Sequence, residues 1–186
     1  RGRRVGLAGA GRGEAVKKRL FVVIVGGSVP GAHVELHDVR FVIGRTIDDC
    51  LDDLRAQWWG APESLHLDAW GPLDWADGYR VEIADAPAAG EEKLWFFNLG
   101  GYDPARFDEL HANLFVVDRD WRSAKKRALE KAAGAWTSPH KDYVFDVDAA
   151  VDVGAAAQGH VRLVPDAEEI PFAFEARYVP IGKLKV

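Results

Sequence analysis

Four histidines in this 186-residue chain each stand two positions from an acid: Glu35-x-His37, His66-x-Asp68, Glu109-x-His111 and His140-x-Asp142. On a β-strand, residues i and i+2 point to the same face. Each pair is therefore a carboxylate beside an imidazole. Such a pair suits metal ligation through ring nitrogen and carboxylate oxygen. It equally suits a carboxylate orienting a histidine for acid–base work, or a structural clamp in which the histidine holds a loop through its neighbour. If both pairs of one half converge, the site holds two histidines and two acids. The metal candidates are Glu35, His37, His66, Asp68, Glu109, His111, His140 and Asp142, and a divalent metal is the cofactor they would take. A catalytic centre is not specified, because no Ser-His-Asp order, cysteine cluster or H-E-x-x-H string is present.

The same residues belong to a repeat. LFVVIVGGSVPGAHVELHDVRFVI (20–43) and LWFFNLGGYDPARFDELHANLFVV (94–117) agree at nine of 24 positions without a gap. The register continues through Arg45/Arg119, Gly60/Gly134, His66/His140, Asp68/Asp142 and Asp74/Asp148, after which a short insertion breaks it. The double glycines Gly26–Gly27 and Gly100–Gly101 join Glu35, His37, Glu109 and His111 as ligand-binding candidates, because bare backbone lets a ligand approach amides. A bulge or a positive-φ turn is the alternative reason for them. Cys50 falls on an apolar helix stripe opposite Ala124 of the other copy and reads as a small core residue.

Each copy reads as strand, strand, helix, strand, strand. In the first, strands are expected at Leu20–Val25, Asp38–Ile43, Leu65–Ala69 and Tyr79–Ile83. The helix between them opens on Thr46 as cap, with Ile47, Cys50, Leu51, Leu54 and Trp58 on its apolar stripe. In the second, strands are expected at Leu94–Leu99, Asn113–Val117, Lys141–Phe145 and His160–Val164. Asp120 caps a helix whose stripe is Trp121, Ala124, Ala128 and Ala132. Gly60 and Gly134 stand where left-handed C-terminal caps are expected, and Ile170–Val179 can add one strand. The expected fold is α+β: an internal duplication of a ββαββ unit, two copies packed about a pseudo-twofold axis, sheets joined or face to face with helices outside. The expected divisions are a disordered basic leader (1–17), a first repeat (18–84), a linker (85–92) and a second repeat with a C-terminal extension (93–186).

Composition narrows the function classes. Residues 1–19 carry seven basic side chains and one acid, leaving 17 basic and 28 acidic residues beyond them. An acidic body repels phosphate backbones. The leader segment VGLAGAGRGEA has glycines at 9, 11 and 13. That spacing lacks the two-residue second gap of a dinucleotide fingerprint and the room for a βαβ unit. With no Met in the chain, residue 1 is no ordinary start, and Val16 is a candidate start through a non-standard codon. A single cysteine permits no intrachain disulfide and points to a reducing cytoplasm. No apolar run approaches the roughly 20 residues of a membrane helix. The partners expected are a small molecule or a metal ion, with no nucleic acid and no membrane; a homo-oligomer is left open.

The order strand-GG-x-x-P-x-x-x-x-E-L-H-D, helix, H-L-D-A-W, then D-G-Y-R-V-E-I resembles the bacterial family of domain of unknown function 1543. N-L-G-G-Y and E-L-H carry the resemblance into the second half, over about Lys18 to Val164. It implies a cytoplasmic bacterial protein and a two-copy architecture, and it supplies no activity. The second half departs from the pattern at D-G-Y-R. The readings that follow are a small-ligand or metal-binding protein at the E-L-H and H-x-D positions, a metal-assisted hydrolase using the same residues, or a protein-interaction or scaffold module.

Overall fold

A computed structural model describes residues 17–87, 90–102, 105–107, 109–135 and 146–182. The expected leader, the centre of the linker, the strand expected at Lys141–Phe145 and the candidates His140 and Asp142 lie outside them.

The chain folds as a mixed α+β structure dominated by sheet. Strand β1 (Arg19–Gly27) lies between β2 (Leu36–Gly44) and β3 (His66–Pro72), both antiparallel to it. After β2, a 3-10 turn at Asp48–Cys50 leads into helix α1 (Leu51–Gln57). Its entrance is a reciprocal cap. The Asp49 amide donates to Thr46 Oγ1 at 3.4 Å, and the Thr46 amide donates to Asp49 Oδ2 at 3.1 Å, satisfying donors that the first helical turn leaves free. Cys50 and Leu54 then pack against Phe21, Val23, Val25 and Leu67 on one face of the sheet.

Strand β4 (Trp75–Ala76) turns into β5 (Tyr79–Ala84) through Asp77 and Gly78, at φ 51° and 88°. Two left-handed residues in succession make the tight turn that suits strand twist. The second half begins with β6 (Lys93–Tyr102), flanked by β7 (Glu109–Asp118) and β8 (Asp146–Asp152), with α2 (Trp121–Ala135) between β7 and β8. Asp120 caps α2, its carboxylate accepting the Arg122 and Ser123 amides, each at 3.0 Å. A short helix α3 (Val153–Ala156) and β9 (His160–Pro165) follow. Strand β9 pairs antiparallel with β5, setting Arg162 opposite Glu82.

Alternation along β1 and β6 separates two kinds of core. Odd positions face a helix: Phe21, Val23 and Val25 meet α1, while Phe97 and Leu99 meet Ala124, Ala128 and Ala132 of α2. Even positions face the other sheet: Leu20 of β1 packs against Leu94 and Phe96 of β6, together with their strand neighbours Phe41 of β2 and Val117 of β7. Phe41 makes edge contacts with Phe96 at 5.2 Å and Phe115 at 6.3 Å between ring centroids. Two sheets thus lie face to face with a helix outside each.

Several expected local features differ. Gly60 is not a left-handed cap: α1 ends at Trp58 with extended backbone, and the only positive-φ glycines among the described residues are Gly31 and Gly78. Gly60 instead admits the Trp58 ring, 2.6 Å from where its Cβ would be. Gly134 lies within α2. Trp121 is 44% exposed, because the three alanines alone let α2 approach its sheet closely. The double glycines do not end their strands. Gly26 and Gly27 belong to β1, paired with His37 and Leu36, and Gly100 and Gly101 belong to β6, paired with His111 and Leu110. Their backbone is committed to the ladder and is not a free amide cradle. The third strand of the second half is displaced as well. His66 pairs with Gly26, but Asp146, not His140, pairs with Gly100. The offset grows from 74 residues on the hairpin (Gly26 to Gly100) to 80 on this strand (His66 to Asp146), so the insertion precedes the strand. Finally β10 (Glu175–Pro180) crosses to the edge of β3, completing the first sheet as β10-β3-β1-β2.

Candidate functional site

At one end of the first sheet, Gly26 has His37 as its neighbour on β2 and His66 on β3. By register the three positions stand side by side across the sheet; His66 is buried, whereas the His37 side chain is half exposed. Glu35 lies just before β2. Asp68 comes from an irregularity in β3: Val25 pairs with Leu67 and Ile24 with Ala69, leaving Asp68 as the extra residue. A bulge re-aims a side chain in this way, and this one turns Asp68 beside His66.

Both imidazoles and both carboxylates meet. His37 Nε2 lies 3.2 Å from Asp68 Oδ2 and 3.6 Å from Glu35 Oε1. His66 Nε2 lies 3.4 Å from Asp68 Oδ2 and 3.7 Å from Glu35 Oε2. One ligand atom each from Glu35, His37 and His66 falls within a 4.8 Å span. Charge-assisted hydrogen bonds are about 2.7–2.9 Å, so all four contacts are longer than the strongest direct imidazole–carboxylate pairs. His66 is 1% exposed, yet its Nε2 and the Asp68 Oδ2 beside it have no hydrogen-bond partner. Burying such atoms unmatched is costly.

Second-layer contacts fix the His66 ring. Its Nδ1 donates to the Ser64 carbonyl at 2.9 Å, which leaves Nε2 as the ring atom facing the cluster. Ser64 Oγ accepts the Ser28 amide at 2.8 Å and donates to the Ala61 carbonyl at 2.8 Å, tying the ends of β1 and β3 together. Tyr178 of β10 lies over the imidazole at 4.5 Å between centroids. Gly26 is needed for space: a Cβ there would stand 2.6 Å from His66 Nε2, 2.8 Å from His37 Cδ2 and 2.9 Å from Asp68 Oδ2. Gly27 likewise makes room, for Trp58 and Ser64.

In the second half, Glu109 Oε2 lies 3.6 Å from His111 Nε2. The sequence paired this histidine with His140 and Asp142, which lie outside the described residues. Register places Asp146 opposite Gly100, where His66 stands opposite Gly26. Sequence reasoning did not single out Ser64 or Tyr178, and Tyr178 carried no signal, because it arrives from more than 100 residues away on β10. It also left D-G-Y-R unassigned. Asp77, 6% exposed, accepts from Arg127 and Lys131 of α2, each at 2.7 Å, and from the Val117 amide at 2.8 Å. That aspartate is an anchor between the halves. Cys50, fully buried, has its thiol pushed up to about 11 by burial and by nearby Asp53 and Asp49, as suits a core residue.

Beside the cluster the sheets part into a cleft of about 720 Å³, walled by Ile24, Val39 and Ala69 of the first sheet and Phe96 and Phe115 of the second. Phe172, on the segment leading to β10, also lines it.

The family model described as Domain of Unknown Function (DUF1543) matches residues 32–83, a span holding all four cluster residues. No curated protein matches the chain. Among solved structures, the crystal structure of a protein Il1583 from Idiomarina loihiensis is similar, at 30% identity and a TM-score of 0.68, over 89% of this chain and 99% of that one. With the family's motifs in place and that relative matched over nearly its whole length, the chain belongs to the DUF1543 family.

Proposed function

We propose that this protein binds a divalent transition-metal ion, zinc the first choice, through Glu35, His37, His66 and Asp68. The imidazole–carboxylate spacing carries the reading: Glu35, His37 and His66 each bring a ligand atom within one 4.8 Å span, and Asp68 Oδ2 stands beside both rings. Tetrahedral bonds of about 2.0–2.1 Å set ligand atoms about 3.3–3.4 Å apart, and the imidazole–carboxylate separations here run from 3.2 to 3.7 Å. A shared cation would also satisfy His66 Nε2 and Asp68 Oδ2 together. Two nitrogen and two oxygen donors suit zinc, manganese or iron better than calcium. The test is calorimetric titration of chelator-treated protein with zinc, beside His37→Ala/His66→Ala. The expected result is uptake at a micromolar or lower Kd, lost in a variant whose circular dichroism is unchanged. A parent protein that takes up no zinc, or a variant that takes it up undiminished, overturns the reading.

Metal-assisted hydrolysis is the second reading, favoured by the cleft beside the cluster: a water taken on as a fifth ligand would be the nucleophile. Screening the zinc-loaded protein against ester and phosphoester substrates tests it. We also infer that the halves descend from one duplicated unit. The supports are the shared strand orders β3-β1-β2 and β8-β6-β7, matching bulges at Ile24/Val25 and Asn98/Leu99, and β5 paired antiparallel with β9. The lone, buried thiol fits a reducing cytoplasm, and no described helix is long and apolar enough to cross a membrane.

A further inference from the structure

The cluster and the cleft are neighbours along the same three strands. Ile24 pairs with Val39 and with Ala69, and all three line the cleft; two residues along β1 and β2, and three along β3 because of its bulge at Asp68, Gly26 pairs with His37 and with His66. Residues i and i+2 share a face and lie about 7 Å apart, so the apolar wall begins one side-chain layer from the cluster. Gly26 puts no side chain between them. The walls include Phe96, Phe115, Trp70 and Trp75, and Phe172 and Phe174 stack on each other at 5.9 Å along the mouth. The volume, about 720 Å³, is that of sites for small organic molecules.

We propose that the cleft holds the ring-bearing apolar body of a small organic acid, whose oxygen head joins the cation at Glu35, His37, His66 and Asp68 as a fifth ligand. This rests on the cation reading above. Flat aromatic walls suit a ring, and a divalent ion between histidines and carboxylates has affinity for an anionic oxygen from outside.

The experiment uses the full chain, zinc uptake being measured first and two probes titrated after: benzohydroxamate, with ring and chelating head, and acetohydroxamate, with the head alone. The expected result is benzohydroxamate binding about ten- to a hundredfold more tightly, from burial of the ring. Zinc removal should weaken it at least about tenfold, through loss of the head's ligand. Val39→Trp, which fills the cleft, should erase the difference between probes while zinc uptake is retained. Phe172→Ala, on the half-exposed mouth and harmless to folding, should weaken benzohydroxamate alone by a few-fold. Equal affinity of the two probes for the zinc-loaded protein overturns the cleft assignment and leaves the cation site standing. Absence of zinc uptake sinks the cation reading, and this ligand with it.

Discussion

Replacing Gly26 by alanine adds one methyl group at the middle of the cluster. That methyl would stand 2.6 Å from His66 Nε2, 2.8 Å from His37 Cδ2 and 2.9 Å from Asp68 Oδ2. Ordinary contacts with such atoms are about 3.5–4 Å, so each group must retreat by roughly 0.6 Å or more. The backbone cannot yield easily, since Gly26 is paired on both sides, and the His66 ring is held at Nδ1 by Ser64. Metal sites tolerate about ±0.2 Å in ligand distance. Disturbing even the groups that orient a ligand costs 10–100-fold in affinity, so Gly26→Ala should lose at least about 100-fold for zinc. Overpacking costs about 1–3 kcal/mol, and the Gly-to-Ala change returns about 0.4–1 kcal/mol through the unfolded chain. A net loss of about 1–2 kcal/mol lowers Tm by roughly 2–8 °C in a chain of this size. Competition with a fluorescent zinc chelator reads the first effect, and a thermal melt in excess chelator reads the second. Parent-like zinc affinity in Gly26→Ala would refute the argument that these groups enclose one small space.

Other perturbations test the frame around the site. Asp77→Ala should destabilise the protein by about 2–3 kcal/mol in urea unfolding, since it removes the acceptor of the Val117 amide and one partner of the half-exposed Arg127 and Lys131, and puts alanine at φ 51°; Asp77→Asn, which tolerates that backbone, should cost less. Glu82 is held below its ordinary pKa of 4.5, first by its hydrogen bond from Arg162. A lowered carboxylate pKa gives stability that is present above the unfolded value and lost as pH falls through the folded one. Glu82→Gln should therefore melt below the parent at pH 6–7, with the gap closing under pH 4.5, and a constant gap would count against it. Cys50, fully buried with its thiol pushed up to about 11, should react with dithionitrobenzoate at pH 8 only as fast as the protein unfolds.

The hairpins were legible in the sequence because their signals are local. Alternation in Leu20–Val25, the E-L-H strings and the caps at Thr46 and Asp120 each act within a few residues of themselves. The two acid–histidine pairs of the first half were legible for the same reason, but the bulge was not. Only the pairing of Ile24 with Ala69 and Val25 with Leu67 makes Asp68 an extra residue and turns it onto His66. The constant offset misled the register in the second half, because His140-x-Asp142 matches His66-x-Asp68 in letters, whereas Asp146 is the residue paired with Gly100. Trp121 misled through its size; the closeness of α2 to its sheet is set by Ala124, Ala128 and Ala132. Strand β10 was expected as a strand but not at β3, since an edge more than 100 residues away leaves no mark on local pattern.

That displaced strand has a consequence for stoichiometry. In both halves a glycine faces a histidine on the neighbouring hairpin strand, Gly26 with His37 and Gly100 with His111. On the third strand the halves part: His66 stands opposite Gly26 and Asp146 opposite Gly100. Only the first half therefore carries a histidine at that register, and in that half the histidine brings Nε2 into the cluster. The first half should therefore bind zinc alone at high affinity, giving one tight equivalent per chain in calorimetry, and His111→Ala should leave that equivalent intact. Two equivalents of matching affinity, or loss of the tight one in His111→Ala, would mean that the third-strand residue does not decide which half binds.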